Sequence, residues 1–340
     1  MSGLQLLWFL IIGLFFAGFF FLEGFDFGVG MSLKTLAFDE KEEDQLIETI
    51  GPIWDGNEVW LVTAGGAMFA SFPYWYASLF SGFYLILLLI LVGLIIRGVS
   101  FEFREKSQPK YKKIWTGTLS LGSVMIPFFF GVLFVNLVQG MPLDADGNMI
   151  ATFTDYINLF SIVGGIALTL LSYLHGMNYI AMKTTGPVRL KAKNHAQALY
   201  WVLYVGLVIF SALLYRQTDF FEYRFLSTTL LLAVMVLLTV VANVSLNYGK
   251  ERTAFFASGL TLVTLVALLF NGLFPRVMIS SISSEFDLLI KNASSSPYTL
   301  KIMSFISLTI LPFVLGYIAW SYYILRGRIR HDEDSVGYKQ

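Results

Sequence analysis

The run from Leu4 to Leu22 carries no charged residue, and apolar stretches of similar length recur along the whole chain. A bilayer core about 30 Å thick takes about 20 such residues per helix. Only helices and closed barrels satisfy their backbone groups there, and these runs do not alternate with period two. The expectation is therefore an all-α integral membrane protein. Composition agrees. Hydrophobic residues make up 56% of the 340, mean hydropathy is +0.69, and charged residues make up only 14%, against roughly 25% in soluble proteins.

The pattern predicts nine spans, at roughly 5–32, 50–72, 77–97, 114–139, 157–182, 198–215, 225–247, 254–274 and 302–325, in a single polytopic unit over 1–340. The second is the least apolar, and 276–300, rich in serine, reads as an extramembrane loop. The N-terminus lacks a basic region and its apolar run is too long for a cleavable signal, so it reads as a retained span. Zero net charge gives no signal for nucleic acid. Without cysteine there is no disulfide framework, thiolate metal site or thiol nucleophile.

Charge placement orients the chain. With the N-terminus outside and the spans alternating, 18 of the 23 basic residues fall in inside segments or, for Arg97, at the inner membrane edge. The positive-inside rule then puts the N-terminus out and the C-terminus in the cytoplasm.

Two of these segments contain acids. Glu23 and Asp26 lie in the first, Asp55 and Glu58 in the second, each pair at i,i+3 and so on one helix face. At 1.5 Å per residue both pairs come to lie roughly 10–16 Å from the cytoplasmic end, on consecutive antiparallel helices. Ionisable residues in apolar surroundings are costly and commonly functional. Four carboxylates at one depth can hold and pass protons. The alternative is structural, with the acids hydrogen-bonded to Asn57, Thr49 or a neighbouring helix. Arg97 is the nearest candidate counter-ion, since the first two spans contain no basic residue. Gly24, Gly28 and Gly30, with Gly65 and Gly66, suggest close helix contacts. Phe72-Pro73-Tyr74-Trp75-Tyr76 reads as a hairpin in an interfacial aromatic belt.

Of the three histidines, His175, His195 and His331, only His175 falls within a span. The chain alone cannot build a bis-histidine haem site, and a lone histidine of this kind reads more readily as a packing residue. No Walker loop or dinucleotide fingerprint lies in a suitable context. The short basic loops read as topology signals and anionic-lipid contacts.

Four ordered motifs resemble subunit II of cytochrome bd quinol oxidase. They are Gly24-Phe25-Asp26-Phe27-Gly28-Val29-Gly30, Gly51-Pro52-Ile53-Trp54-Asp55-Gly56-Asn57-Glu58-Val59-Trp60-Leu61, Ala64-Gly65-Gly66-Ala67-Met68-Phe69-Ala70 and Arg97-Gly98-Val99-Ser100-Phe101-Glu102-Phe103-Arg104. Glu23, Glu58 and a short acidic first loop look more like a Gram-positive member. The resemblance implies nine helices arranged as two four-helix bundles plus one peripheral helix. It implies a haem-bearing subunit I as partner, holding haems b and d and the quinol site, and in some members a very small single-span third subunit or a structural quinone. It further implies quinol oxidation coupled to dioxygen reduction, with no haem bound by this chain. Asp55 matches the family acid of a cytoplasmic proton path and Asp26 a neighbouring motif acid. Asp55 and Glu58 therefore rank first, with Asp26 and Glu23 as supporting acids. A pure scaffold and a proton-coupled secondary transporter are the competing readings.

Overall fold

The computed structural model describes residues 1–330; His331 and Lys339 lie outside the described residues. In chain order the helices are α1 (Gly3–Ser32), α2 (Glu40–Ile50), α3 (Trp54–Ser71), α4 (Pro73–Gly82), α5 (Tyr84–Lys106), α6 (Pro109–Gln139), α7 (Phe153–Tyr156), α8 (Leu159–Lys183), α9 (Gly186–Gln217), α10 (Phe220–Asn247) and α11 (Glu251–Leu273). A two-stranded antiparallel pair follows, β1 (Arg276–Met278) with β2 (Leu288–Leu289), then α12 (Ile290–Ala293) and α13 (Pro297–Ile324).

Among the described residues eight helices are long and apolar enough to cross a membrane: α1, α5, α6, α8, α9, α10, α11 and α13. The ninth expected span, 50–72, is not one of them. Its helix is α3, only 18 residues long and carrying Asp55, Asn57 and Glu58. Its start also differs from the expectation. Gly51, Pro52 and Ile53 form a turn, and Pro52 has no N–H to continue a ladder. The region 33–49, expected as a loop, contains α2, whose Asp39 side chain caps the helix by accepting from the Glu42 N–H at 2.9 Å. The expected loop 276–300 contains the strand pair and α12, and the last span begins at Pro297. The expected span 77–97 is α4 followed by α5, with the Phe83 N–H donating to Leu79 and the Leu87 N–H to Phe83 across the join. Helix α9 extends back to Gly186, because its polar first turns project beyond the apolar part.

Helix α1 sits at the centre, packed against α3, α6, α8 and α11. Its neighbours approach closely where side chains are absent. A Cβ on Gly28 would lie 2.3 Å from the Ser172 carbonyl oxygen and 2.7 Å from the Gly176 nitrogen, so α1 and α8 meet backbone to backbone. Gly65 and Gly66, by contrast, have nothing within 4 Å of a built Cβ. They sit on a bare flank of α3 that also exposes Val62 (74%) and Phe69 (62%). Around α1 the core is largely aromatic, with Phe16, Phe20, Phe130 and Phe134 in mutual ring contact. Helix α13 touches α1 and α3 and buries little beyond Leu300 and Ser304.

Ion pairs gather where α2 meets the ends of α5, α6, α8 and α9. Arg104 binds Asp44 at 2.6 Å and Glu43 at 3.0 Å, Lys112 binds Glu40 at 2.6 Å, and Lys191 binds Glu42 at 2.6 Å. Glu251 joins Arg189 at 2.6 Å and Arg328 at 2.5 Å. The acidic α2 thus neutralises much of the basic end of the bundle.

Candidate functional site

Three helices deliver the central cluster. Glu23 and Asp26 lie one turn apart on α1 and are fully buried, as is Arg97 of α5. Arg97 is not at a helix edge. It lies nine residues from Lys106, the last residue of α5, or roughly 14 Å along the axis. Its Nη1 contacts Glu23 Oε1 at 2.6 Å and Glu58 Oε1 at 2.9 Å. The first contact is an ion pair without hydrogen-bond alignment; the second is a hydrogen bond from the guanidinium. The guanidinium also lies over the rings of Phe27 and Phe101, 5.2 Å and 5.4 Å from their centroids. Aromatic faces of this kind attract cations.

Beside this pair Asn57 of α3 donates from Nδ2 to Asp26 Oδ2 at 2.7 Å and accepts at Oδ1 from the Tyr322 hydroxyl at 2.7 Å. The amide orientation follows from these contacts, since a carboxylate accepts and a phenol donates. A chain Tyr322–Asn57–Asp26 therefore runs alongside the bridge Glu23–Arg97–Glu58. Thr49 takes no part; its hydroxyl donates to the Leu46 carbonyl.

Five polar atoms of the cluster, Glu23 Oε1 and Oε2, Asp26 Oδ1, Arg97 Nε and Arg97 Nη2, are buried without a hydrogen-bond partner. Orphaned polar atoms are rare in protein interiors. Concentrated in one polar site, they can be met by ordered water or by protons shared between carboxylates.

The i,i+3 pair on α3 does not act as a unit. Glu58 turns inward to Arg97. Asp55 is exposed in the first turn of α3 and makes no ion pair among the described residues. The later start of α3 accounts for this, since it puts Asp55 at the mouth of the helix. A carboxylate there is favoured by the helix N-terminus. Reading the residues missed Tyr322, because a tyrosine in an apolar span carries no distinguishing pattern.

His175 serves packing in this arrangement. Its Nε2 lies 2.9 Å from the Phe21 carbonyl and its Nδ1 2.8 Å from Ser258 Oγ, and the ring stacks on Phe255 at 4.7 Å. Both nitrogens are engaged, which does not fit an axial haem ligand. No group of three or more metal-binding side chains comes together among the described residues.

Fold and site together define a multi-pass helical membrane protein with an ionisable cluster buried at its centre. Its kinship is specific. The family profile for cytochrome bd terminal oxidase subunit II matches residues 4–325. The cytochrome bd ubiquinol oxidase subunit 2 of Bacillus subtilis is 46% identical over 334 residues, covering 98% of this chain and 99% of that protein. The cytochrome bd-I ubiquinol oxidase subunit 2 of Escherichia coli K12 is 32% identical, covering 97% and 96%. The chain belongs to the cytochrome bd terminal oxidase subunit II family. A chain of the bd oxidase from Geobacillus thermodenitrificans has the same fold, with a TM-score of 0.75 at 15% identity, over 95% of this chain and 99% of that one.

Proposed function

We propose that this chain is the haem-free subunit II of a quinol:dioxygen oxidoreductase and supplies part of a proton path from the cytoplasm. It partners a haem-bearing subunit I, whose haems b and d pass electrons from quinol to dioxygen. The observation that carries the proton-path reading is the buried cluster of Glu23, Asp26, Arg97 and Glu58 with its five orphaned polar atoms. In this reading Asp55 collects protons at the mouth of α3. Glu58, half-buried on the next turn, relays them inward, and Asp26 and Glu23 hold them at the centre. Arg97 supplies the positive charge that lets several acids share one small volume. The ion-paired end of the bundle is the cytoplasmic side, by the positive-inside rule, which puts the N-terminus outside.

The architecture in this proposal has nine helices across the bilayer. Helices α1, α3, α5 and α6 form one bundle and α8 to α11 the other, with α13 peripheral. Packing of α5 on α6, α8 on α9 and α10 on α11 follows the grouping, while α1 and α6 meet α8 at the seam between the bundles. Helix α3 can cross despite its acids because they turn to Arg97 or to a partner, and its bare flank with Val62 and Phe69 suits cover by subunit I. A small single-span subunit has room beside α13. The apolar cavity of about 770 Å³ lined by Phe16, Met68 and Leu133 suits a structural quinone.

Replacing Asp55 with Asn in the purified complex tests the path. Slower oxygen consumption with unchanged haem spectra and assembly is expected. Normal turnover removes Asp55 from the path. Lower assembly with normal turnover of the surviving complex favours the scaffold reading. A transporter would need discontinuous helices, and Pro127 and Pro312 lie within continuous α6 and α13.

A further inference from the structure

We propose that the groove between α1 and α11, at the N-terminal end of α1, binds one phospholipid, with its phosphate on Arg224 and Asn271 and an acyl chain along Gly13 and Ala17. The groove is a cavity of about 400 Å³. Its wall is apolar except for those two polar side chains, and it contains no acid. Both helices that form it are long and apolar enough to cross a membrane, and Leu10 and Leu14 on its wall are each 57% exposed, so the groove opens to the outside of the chain.

The polar end is built in an unusual way. Arg224 has non-helical backbone angles, φ −142° and ψ 43°, and interrupts α10 one turn after its start. The break carries its guanidinium over the Phe274 ring, 4.7 Å from the centroid, and its Nε donates to the Phe274 carbonyl at 3.3 Å. Among the described residues it has no carboxylate partner. Asn271 Nδ2, also on the wall, is buried without an acceptor. A guanidinium and an amide NH₂ are donors only at these positions. The missing partner is an anionic acceptor, and a phosphodiester supplies both charge and oxygens. A neutral quinone carbonyl would leave the cation unbalanced.

The apolar end forms a track for the upper part of an acyl chain. Phe9, Leu10, Gly13, Leu14 and Ala17 line it along α1, spanning roughly 12 Å at 1.5 Å per residue. Small residues keep it open: a Cβ on Gly13 would already lie 3.0 Å from the Phe270 ring. This site lies at the opposite end of α1 from the acid cluster and does not depend on the proton-path reading.

Native mass spectrometry of the complex purified from membranes tests the proposal. The wild-type complex should retain one phospholipid after detergent washing. Arg224→Gln should lower its occupancy by about tenfold, the loss expected for one charge-assisted hydrogen bond. Ala17→Leu fills the far end of the groove without touching the polar end, and should lower occupancy likewise; it decides the matter if Arg224→Gln fails to assemble. Adding phosphatidylglycerol back to the delipidated complex should restore the adduct in wild type and in neither variant. Equal retention in wild type and Ala17→Leu overturns the proposal. So does a retained quinone, or an adduct without phosphorus.

Discussion

Arg97 Nη1 stands between two carboxylates from different helices, 2.6 Å from Glu23 and 2.9 Å from Glu58, while its own side chain is wholly buried. One cation thus joins α1, α3 and α5 at the centre of the protein.

Removing that cation should be more damaging than removing the whole group. Arg97→Gln leaves Glu23 as an uncompensated buried charge, at a cost of about 3–5 kcal/mol. The double substitution Arg97→Gln, Glu23→Gln should recover most of the loss. Thermal melting of the purified complex, with haem content as the measure of assembly, provides the cycle. With Glu23→Gln completing the cycle, a loss in the double variant equal to the sum of the two single losses would show that the pair does not couple.

Tyr322 orients Asn57, and Asn57 presents its NH₂ to Asp26. Tyr322→Phe keeps the ring and deletes one hydroxyl, so Asn57 Oδ1 loses its donor inside the protein. The expected cost is about 1–3 kcal/mol. Because the amide then has no fixed orientation beside Asp26, the pH profile of oxygen consumption should also move if Asp26 carries protons. A lower melting temperature with an unmoved profile would confine Tyr322 to packing.

Much of this was legible from particular residues. Acids amid phenylalanine stand out because such company makes them costly, and Asp26 does meet Asn57 of α3 across the α1–α3 contact, while Glu23 reaches Arg97 of α5. The position of Asp55 was not legible. It depends on the turn at Gly51 to Ile53, and hydropathy averaged over twenty residues conceals a one-turn shift in a helix start. Helix α2 escaped for a different reason: it is 11 residues long and mostly charged, so a search for spans passes over it, although Leu46 and Ile50 share one face and Asp39 three residues before Glu42 is a capping signal. Arg224 gave no sign in sequence of breaking α10.

The loop at 140–158 should respond to acid. Hydrogen bonds from the Asn148 and Asp146 backbone, with the Asn148 side chain, hold the Asp144 carboxyl below its usual range, and the Thr152 backbone and hydroxyl do the same for Asp155. A carboxyl with a depressed folded value binds fewer protons folded than unfolded. Its stabilising contribution is therefore complete above about pH 4, the ordinary aspartate value, and fades as pH falls through the depressed one. Hydrogen exchange at the Asp146 and Asn148 amides, corrected for intrinsic rates, should show protection constant above that point and declining below it. Asp144→Asn should remove its share of the decline.

Two glycines separate close approach from mere flexibility. Gly28 faces the α8 backbone, where an added methyl would stand 2.3 Å from one atom and 2.6 Å from another. Neither neighbour is a side chain that can rotate away, so Gly28→Ala must push α1 off α8. Overpacking of this kind costs about 1–3 kcal/mol. The shift also reaches the acid cluster, because Asp26 lies half a turn away on the same helix. Gly56 has open space around it and lies inside α3. There Gly56→Ala should gain roughly 0.4–1 kcal/mol by restricting the unfolded chain. Melting temperatures of the two complexes should consequently move in opposite directions. If both fall, the partner subunit fills the space beside Gly56 and the bare flank of α3 is part of that contact.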